Sequence, residues 1–251
     1  MNLVGQIASL DGGGSVALGN QTLTLTDANG TFAGVIAGDG GFNVAGGTET
    51  LSAANTYTGL TGIADGATLA LTGTGSVLAS GGVVADGTLD ISGTSAGASI
   101  ASLSGSGSVA LGAQTLKFAD AADTFTGVIG GSGAVRVNGG TEVFTGANTY
   151  TGGTSIANGA TLQLGNGGTT GSIVGDVAND GSLVFDRSDD IEYGNGISGS
   201  GRVVKLNSDT VLPSGANSYT GGTTLTAGTL LIGNASAIGT GTLDMAEFTT
   251  I

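Results

Sequence analysis

The residues most able to act as catalytic groups lie in one short acidic segment. It contains four carboxylates and one arginine: Asp186, Arg187, Asp189, Asp190 and Glu192. A pair of carboxylates on an extended β scaffold can cleave a glycosidic bond, with one acting as general acid and the other as base or nucleophile. The chain has no histidine to assist, and the arginine can neutralise a neighbouring carboxylate. We therefore interpret the segment as a solvated turn, predict no catalytic residue, and expect the protein not to be an enzyme.

A second candidate site is aromatic. The string Asn-Thr/Ser-Tyr-Thr-Gly occurs three times and places Tyr57, Tyr150 and Tyr219 at matched positions. If these rings were exposed on one face, they would form a sparse stripe suited to contact with a glycan or a protein. The alternative is that each ring covers a corner of its own coil, since aromatic rings usually serve packing. We keep the three tyrosines as possible surface-contact residues.

Cysteine and histidine are both absent, which excludes disulfides, thiolate chemistry and most transition-metal sites. Two turns rich in oxygen ligands, 38–41 and 179–181, are the best candidates for calcium. The tandem Gly-Gly-x-Gly-x-Asp nonapeptide of calcium-loaded β-rolls is nevertheless missing. We predict no metal and no cofactor.

The charge balance limits the possible partners. The chain has 19 acidic and 5 basic residues, a net charge of −14, and its first basic residue is Lys117. Binding to nucleic acid needs clustered lysine and arginine, and an anionic membrane surface would repel this chain for the same reason. No run of about 18 apolar residues is present either. We expect no nucleic-acid partner and no direct membrane insertion by this segment.

The elements that must position these residues are set by an internal repeat. Residues 7 onward align with residues 100 onward, without a gap, for about seventy residues at an offset of 93. In a shorter third copy, Asn217 follows Asn148 by 69 residues. The loss of about 24 residues suggests that one rung of a solenoid was removed. We predict a single domain, 1–251, built of unequal repeats at about 7–99, 100–180 and 181–251.

Strand patterns recur every ten to twelve residues or so, in the form small-polar-apolar-any-apolar. Successive side chains of a strand point to opposite faces, so the two apolar residues of each pattern would share one interior. The pairs are Leu23/Leu25, Leu69/Leu71, Leu89/Ile91, Leu162/Leu164, Leu183/Phe185 and Leu230/Ile232. The pattern predicts an all-β, right-handed parallel β-helix (β-solenoid) with about eleven coils of about 22 residues. A β-propeller is disfavoured because the copies are unequal in length.

The residues also resemble a known family. Segment 214–234, and segment 185–201 before it, are similar to the passenger-associated repeat of bacterial autotransporters, with weaker versions at 147–166 and 54–72. The resemblance implies a β-helical stalk displayed on, or secreted from, the surface of a Gram-negative bacterium. It also implies a role in adhesion, aggregation or display, with a host or neighbouring-cell surface protein or glycan, or a second copy, as partner.

Two other hypotheses stay open. Segments 1–5 and 245–251 carry no obvious cap, so uncovered strand edges could stack end to end into an extracellular filament. A polysaccharide-acting β-helix enzyme is the third. Residues 1–20 lack the pattern of a secretory signal, so we expect an internal fragment or a relative exported by another route.

Overall fold

The structure is a computed structural model, and it describes residues 5–247 and 249–251. Within these residues the chain forms β-strands only, and no helix that could cross a membrane is found there. The strands in chain order are β1 (Gly5–Ile7), β2 (Ser15–Ala17), β3 (Leu23–Leu25), β4 (Thr31–Phe32), β5 (Val35–Ala37), β6 (Phe42–Val44), β7 (Thr48–Leu51), β8 (Thr61–Ile63), β9 (Thr68–Gly73), β10 (Val83–Ala85), β11 (Thr88–Thr94), β12 (Ala98–Ile100), β13 (Leu103–Ser104), β14 (Ser108–Ala110), β15 (Leu116–Phe118), β16 (Thr124–Phe125), β17 (Val128–Gly130), β18 (Val135–Val137), β19 (Thr141–Phe144), β20 (Thr154–Ile156), β21 (Thr161–Gly168), β22 (Val177–Asn179), β23 (Ser182–Arg187), β24 (Ile191–Tyr193), β25 (Ile197–Ser198), β26 (Arg202–Lys205), β27 (Thr210–Pro213), β28 (Thr223–Leu225), β29 (Thr229–Leu230) and β30 (Leu243–Met245).

Every strand pairing is parallel and joins residues of consecutive coils. The shortest offset between paired residues of two strands is 18 residues, between β1 and β3 and between β12 and β15, and the longest is 23, between β20 and β22. Most coils take 19 or 20 residues, so the chain makes about twelve turns rather than the eleven expected from a 22-residue coil. The predicted all-β solenoid of parallel strands is confirmed, and at about 4.8 Å per coil it is about 58 Å long.

Each coil has three sides. Between β3 and its partner β6 the chain passes through β4 and β5, which belong to two other sheets. The longer sheets have the orders β1-β3-β6-β8-β10-β13, β17-β14-β11-β9-β7-β4, β12-β15-β18-β20-β22-β25 and β16-β19-β21-β23-β26-β28-β30. Because neighbouring coils satisfy each other's backbone groups, stability does not depend on crosslinks.

One hydrophobic core runs inside the coils, from Leu18 to Leu230. Alternate residues of each strand enter it, as the burial of Leu23 and Leu25 on either side of the half-buried Thr24 shows. Five of the six predicted inward pairs are confirmed. The sixth is wrong at Ile232, which is 39% exposed while Leu230 is 2% exposed. The reason is that β29 ends at Leu230, so strand alternation no longer directs the residues beyond it.

The sequence repeat and the coil are out of phase. Successive coils place Phe42, Thr61, Val83 and Leu103 over Leu23. Leu103 is 13 residues short of Leu116, the residue that matches Leu23 in the second copy. One copy therefore spans about four and two-thirds turns, and matched strands such as β3 and β15 lie in different sheets.

The third copy is also out of phase, because β20 and β28, which the 69-residue offset equates, lie in different sheets. The missing residues therefore do not correspond to the removal of one rung from an otherwise unchanged stack.

Glycine at one recurring corner permits a very close approach between coils. Gly47 and Gly140 have positive φ angles of 74° and 70°. A Cβ atom on Gly140 would lie 1.9 Å from the carbonyl oxygen of Ala121, and one on Gly47 would lie 2.0 Å from that of Ala28. Only glycine is tolerated at such positions. These corners precede β7 and β19, which carry the buried glutamates described below.

The end-to-end filament stays a prediction. It depends on segments 1–5 and 245–251, and residues 1–4 and Phe248 lie outside the described part of the chain.

Candidate functional site

The structure places the three matched tyrosines in the interior. Tyr57, Tyr150 and Tyr219 are 1%, 0% and 1% exposed, so the expectation of an aromatic contact stripe on the surface is corrected. Each hydroxyl bonds the threonine four residues later, and the distance is 2.7 Å for both Tyr57–Thr61 and Tyr150–Thr154. Burial raises the pKa of each tyrosine hydroxyl, so the rings stay neutral. They pack because a large apolar ring with one satisfied polar atom stabilises a narrow core.

The asparagine two residues before each tyrosine joins three coils. The Oδ1 atom of Asn148 accepts a bond from the backbone N–H of Ile129, one coil earlier, at 2.9 Å. Its Nδ2 atom donates to the carbonyl oxygen of Ser172, one coil later, at 3.1 Å, and to that of Gly146 at 3.3 Å. Asn55 and Asn217 make corresponding bonds to the coils before and after them. The motif is thus a buried clamp between coils, a role that its recurrence signalled but that the sequence did not define.

Replacing Asn148 with alanine should lower the free energy of unfolding by about 2 kcal/mol, because the buried N–H of Ile129 would lose its acceptor. Urea denaturation followed by circular dichroism measures the loss. Asn166, which is exposed on β21, provides the matched control, and Asn166→Ala should change stability by less than about 0.5 kcal/mol. Equal effects of the two variants would contradict the clamp.

The acidic segment that suggested catalysis has each carboxylate engaged by its own local partner. Asp189 accepts two bonds from Arg187, at 2.9 and 2.7 Å, and this bonding lowers the pKa of Asp189. Asp190 accepts from the backbone N–H of Thr210 at 2.7 Å. Glu192 accepts from Ser214 Oγ at 2.6 Å.

Arg187 also holds the neighbouring loop. Its Nη1 atom donates to the carbonyl oxygen of Gly171 at 3.0 Å, and its Nη2 atom donates to that of Thr169 at 2.6 Å. The bidentate ion pair with Asp189 orients the guanidinium for these bonds. The geometry of the segment is therefore that of a braced turn. No group of three or more acidic side chains in the described residues is arranged to hold a metal ion.

Lys205 is a buried charged residue whose position the sequence analysis did not predict. It lies in the interior between Phe185 and Leu225, its register partners in the adjacent coils, and it is 2% exposed. Its Nζ atom donates to Asp209 Oδ1 at 2.7 Å and to two backbone carbonyl oxygens at 2.9 and 3.0 Å. The sequence pattern that could have predicted this burial is the alternation in β26, since Val203 and Lys205 occupy alternate, inward positions.

Two glutamates also lie in the interior. Glu49 of β7 and Glu142 of β19 occupy matched positions in the first two copies, and both are 0% exposed. Neither oxygen of Glu49 has a hydrogen-bond partner among the described residues. Glu142 Oε2 accepts a long bond from Ser102 Oγ at 3.4 Å, while Oε1 has no partner there. The third copy has Val211 at this position, also buried.

Burial raises the pKa of Glu49 to about 7 and that of Glu142 to about 9, with further increases from the charges of Asp11 and Asp123 respectively. Glu142 is therefore a neutral carboxylic acid at pH 7. A buried acid of raised pKa is typical of a catalytic group, but both side chains point into the core, where no substrate can reach them.

Comparison with known proteins finds a match to one repeat family in each of the three copies. The Passenger-associated-transport-repeat family matches residues 46–71, 138–164 and 209–232, which contain the three asparagine clamps. A curated relative, "Adhesin BmaC autotransporter" of Brucella suis biovar 1 (strain 1330), is 43% identical over 72 residues. That match covers 29% of this chain and 2% of the relative, so the chain spans a small part of that protein's length. No solved structure matches the chain.

Proposed function

We propose that the chain, which carries passenger-associated transport repeats on a parallel β-solenoid, is a segment of an autotransporter passenger and presents an adhesive surface on a Gram-negative bacterium. In this role it is a stalk, secreted or displayed at the cell surface. The name of the Brucella relative, an adhesin, supports adhesion over other passenger activities.

The observation that carries the proposal is the position of the side chains that could act as catalytic or binding groups. The three matched tyrosines, Glu49 and Glu142 are inside the coils, and Asp189, Asp190 and Glu192 serve local bonds. What remains for contact is the set of outer faces, whose length grows with each coil. A surface of this kind suits binding and display rather than catalysis, so we propose that the segment is not an enzyme.

The proposal predicts that beads coated with the purified chain bind cultured epithelial cells severalfold more than beads coated with serum albumin. Bound beads are counted by microscopy after washing. A chain denatured before coating is the matched control, since it has the same composition but no ordered outer face. Binding equal to that of albumin, or equal binding by the denatured chain, would overturn the proposal.

A further inference from the structure

Two basic residues lie side by side on the outer face of one sheet. Lys117 of β15 and Arg136 of β18 are register partners on adjacent strands, which lie about 4.8 Å apart. The next strands add Ser155 and Ala178 to the same outward row. Arg136 is exposed and Lys117 is half-buried. The row is thus a cationic spot followed by small residues along the solenoid axis.

This pair is unusual because the chain has 19 acidic and 5 basic residues. Among the described residues, the salt bridges are Arg187–Asp189 and Lys205–Asp209, so neither Lys117 nor Arg136 has a carboxylate partner there. Like charges directly opposite each other on adjacent strands are destabilising. The arrangement therefore costs stability, and an anion bound between the two cations would offset that cost.

The first copy of the repeat shows that the fold does not need these charges. The positions matched to Lys117 and Arg136 by the 93-residue offset are Thr24 and Asn43. They too are register partners on adjacent strands, β3 and β6. The same local structure thus forms with two neutral side chains, and the second copy differs in what it presents to the outside.

Arg136 borders a groove able to hold an extended ligand, and Lys117, on the preceding strand, lies outside the lining of that groove. The groove has a volume of about 500 Å³ and is lined by Arg136, Thr151, Thr154, Ser155, Asp176 and Ser198, among others. Only the Nε atom of Arg136 is engaged within the described residues, by Asn138 Oδ1 at 2.8 Å. The outer edge of the guanidinium can therefore bind a carboxylate, and the hydroxyls of Thr151 and Ser155 can bond the hydroxyl groups of a sugar. The Nζ atom of Lys117 donates only a long bond, at 3.5 Å, to the carbonyl oxygen of Ala96 in the preceding coil.

The rest of the surface indicates which ligand fits. Every aromatic ring in the described residues is buried, so no ring is available to stack on a neutral sugar. The net charge of −14 disfavours a densely charged polyanion. At physiological salt, however, charges more than about 8 Å away are largely screened, so a single carboxylate at the pair is attracted. A glycan with widely spaced carboxylates satisfies both conditions.

We propose that the outer face around Lys117 and Arg136 binds a uronate-bearing polysaccharide, with one sugar carboxylate held between the two cations and adjacent sugar hydroxyls bonded by Thr151 and Ser155. This inference rests on the proposed adhesive role and names the class of ligand for it.

The test is titration of the folded chain with a hyaluronan octasaccharide, which carries a carboxylate on every second sugar, followed by isothermal calorimetry. The double variant K117T/R136N, with the residues of the first copy, should bind at least tenfold more weakly and unfold at the same or a higher temperature. The control R202N removes one exposed positive charge from another sheet and should leave binding unchanged. A neutral dextran octasaccharide should not bind.

Three results would overturn the inference: no hyaluronan binding by the wild-type chain, equal binding by K117T/R136N, or equal weakening by R202N. If K117T/R136N fails to fold, the single variant R136N carries the same expectation, with a severalfold loss. The bead assay separates this inference from the proposed function. Cell binding by coated beads without hyaluronan binding would refute the glycan site alone, whereas hyaluronan binding without cell binding would refute the adhesive role alone.

Discussion

Replacing Glu142 with valine is expected to raise the free energy of unfolding by about 3 kcal/mol at pH 7. The pKa of about 9 keeps this carboxyl protonated in the folded chain, whereas in the unfolded chain its pKa of 4.5 lies 2.5 units below pH 7, so folding must protonate an ionised group. The physical reason is that a carboxyl group without full hydrogen bonding has been moved from water into an apolar core. Valine is the residue that the third copy uses at this position, as Val211. The same fold therefore already accommodates a buried valine at the matched position.

The pH dependence of unfolding gives the sharper measurement. The pKa of each glutamate is raised in the folded state, so the folded chain holds more protons than the unfolded chain above pH 4.5. The contribution of each protonated glutamate to the free energy of unfolding is therefore fully present below pH 4.5. It is lost as pH rises, at about 1.4 kcal/mol per pH unit, up to pH 7 for Glu49 and up to pH 9 for Glu142. The solenoid should resist urea better at pH 5 than at pH 9.

Two further variants separate ionisation from packing. Glu142→Gln keeps the size and polarity of the side chain but cannot ionise, so it should remove the dependence on pH between 7 and 9 without the full gain of valine. Asp39→Asn changes an exposed acid and should alter stability by less than about 0.5 kcal/mol. If Glu142→Val proved less stable than the wild type at every pH, the account of a costly buried acid would be wrong.

Loss of the buried lysine should have a comparable effect of opposite sign. Lys205→Met leaves the carboxylate of Asp209, which is 2% exposed at its side chain, without its cation. Removing one partner of a buried ion pair typically costs about 3–5 kcal/mol, because the remaining charge is neither solvated nor neutralised. Chemical denaturation at pH 7 measures the loss, and Arg202→Met in the same strand is the exposed control.

The double variant Lys205→Met/Asp209→Asn tests this explanation. It removes both charges, and apolar or neutral replacements of a whole buried pair are often tolerated. We expect it to recover most of the stability lost in the single variant. A double variant as unstable as Lys205→Met would mean that the lysine stabilises the turn through its two carbonyl contacts rather than through its charge.

Alternation of apolar residues was sufficient to predict the strands and their inward faces, because a side chain in a strand can point only to one side or the other. The structure also places Lys205, Glu49 and Glu142 inside, at positions that alternation assigns to the interior but that we did not predict because their charges argue for the outside. They lie inside because the strand register is fixed by many neighbours, and one polar residue does not reverse it.

The function of the asparagine clamp could not be predicted from its recurrence. The sequence showed three matched Asn-x-Tyr strings, but the partners of Asn148 lie 19 and 24 residues away in the adjacent coils. Those distances depend on the length of each coil, which local patterns leave uncertain by one or two residues. The same uncertainty put the tyrosines on a possible surface stripe.

The sequence by itself determined that this protein is a repeat-built solenoid of parallel strands, because its periodicity and its small, turn-forming residues are compatible with few other folds. Only the tertiary structure decided which faces the repeats present. One copy spans about four and two-thirds turns, so residues with the same place in the repeat lie in different sheets. Lys117 and Arg136 therefore lie in a different sheet from their neutral counterparts Thr24 and Asn43. The position of a repeat relative to the coils depends on the summed lengths of all the turns before it, so no single motif determines it.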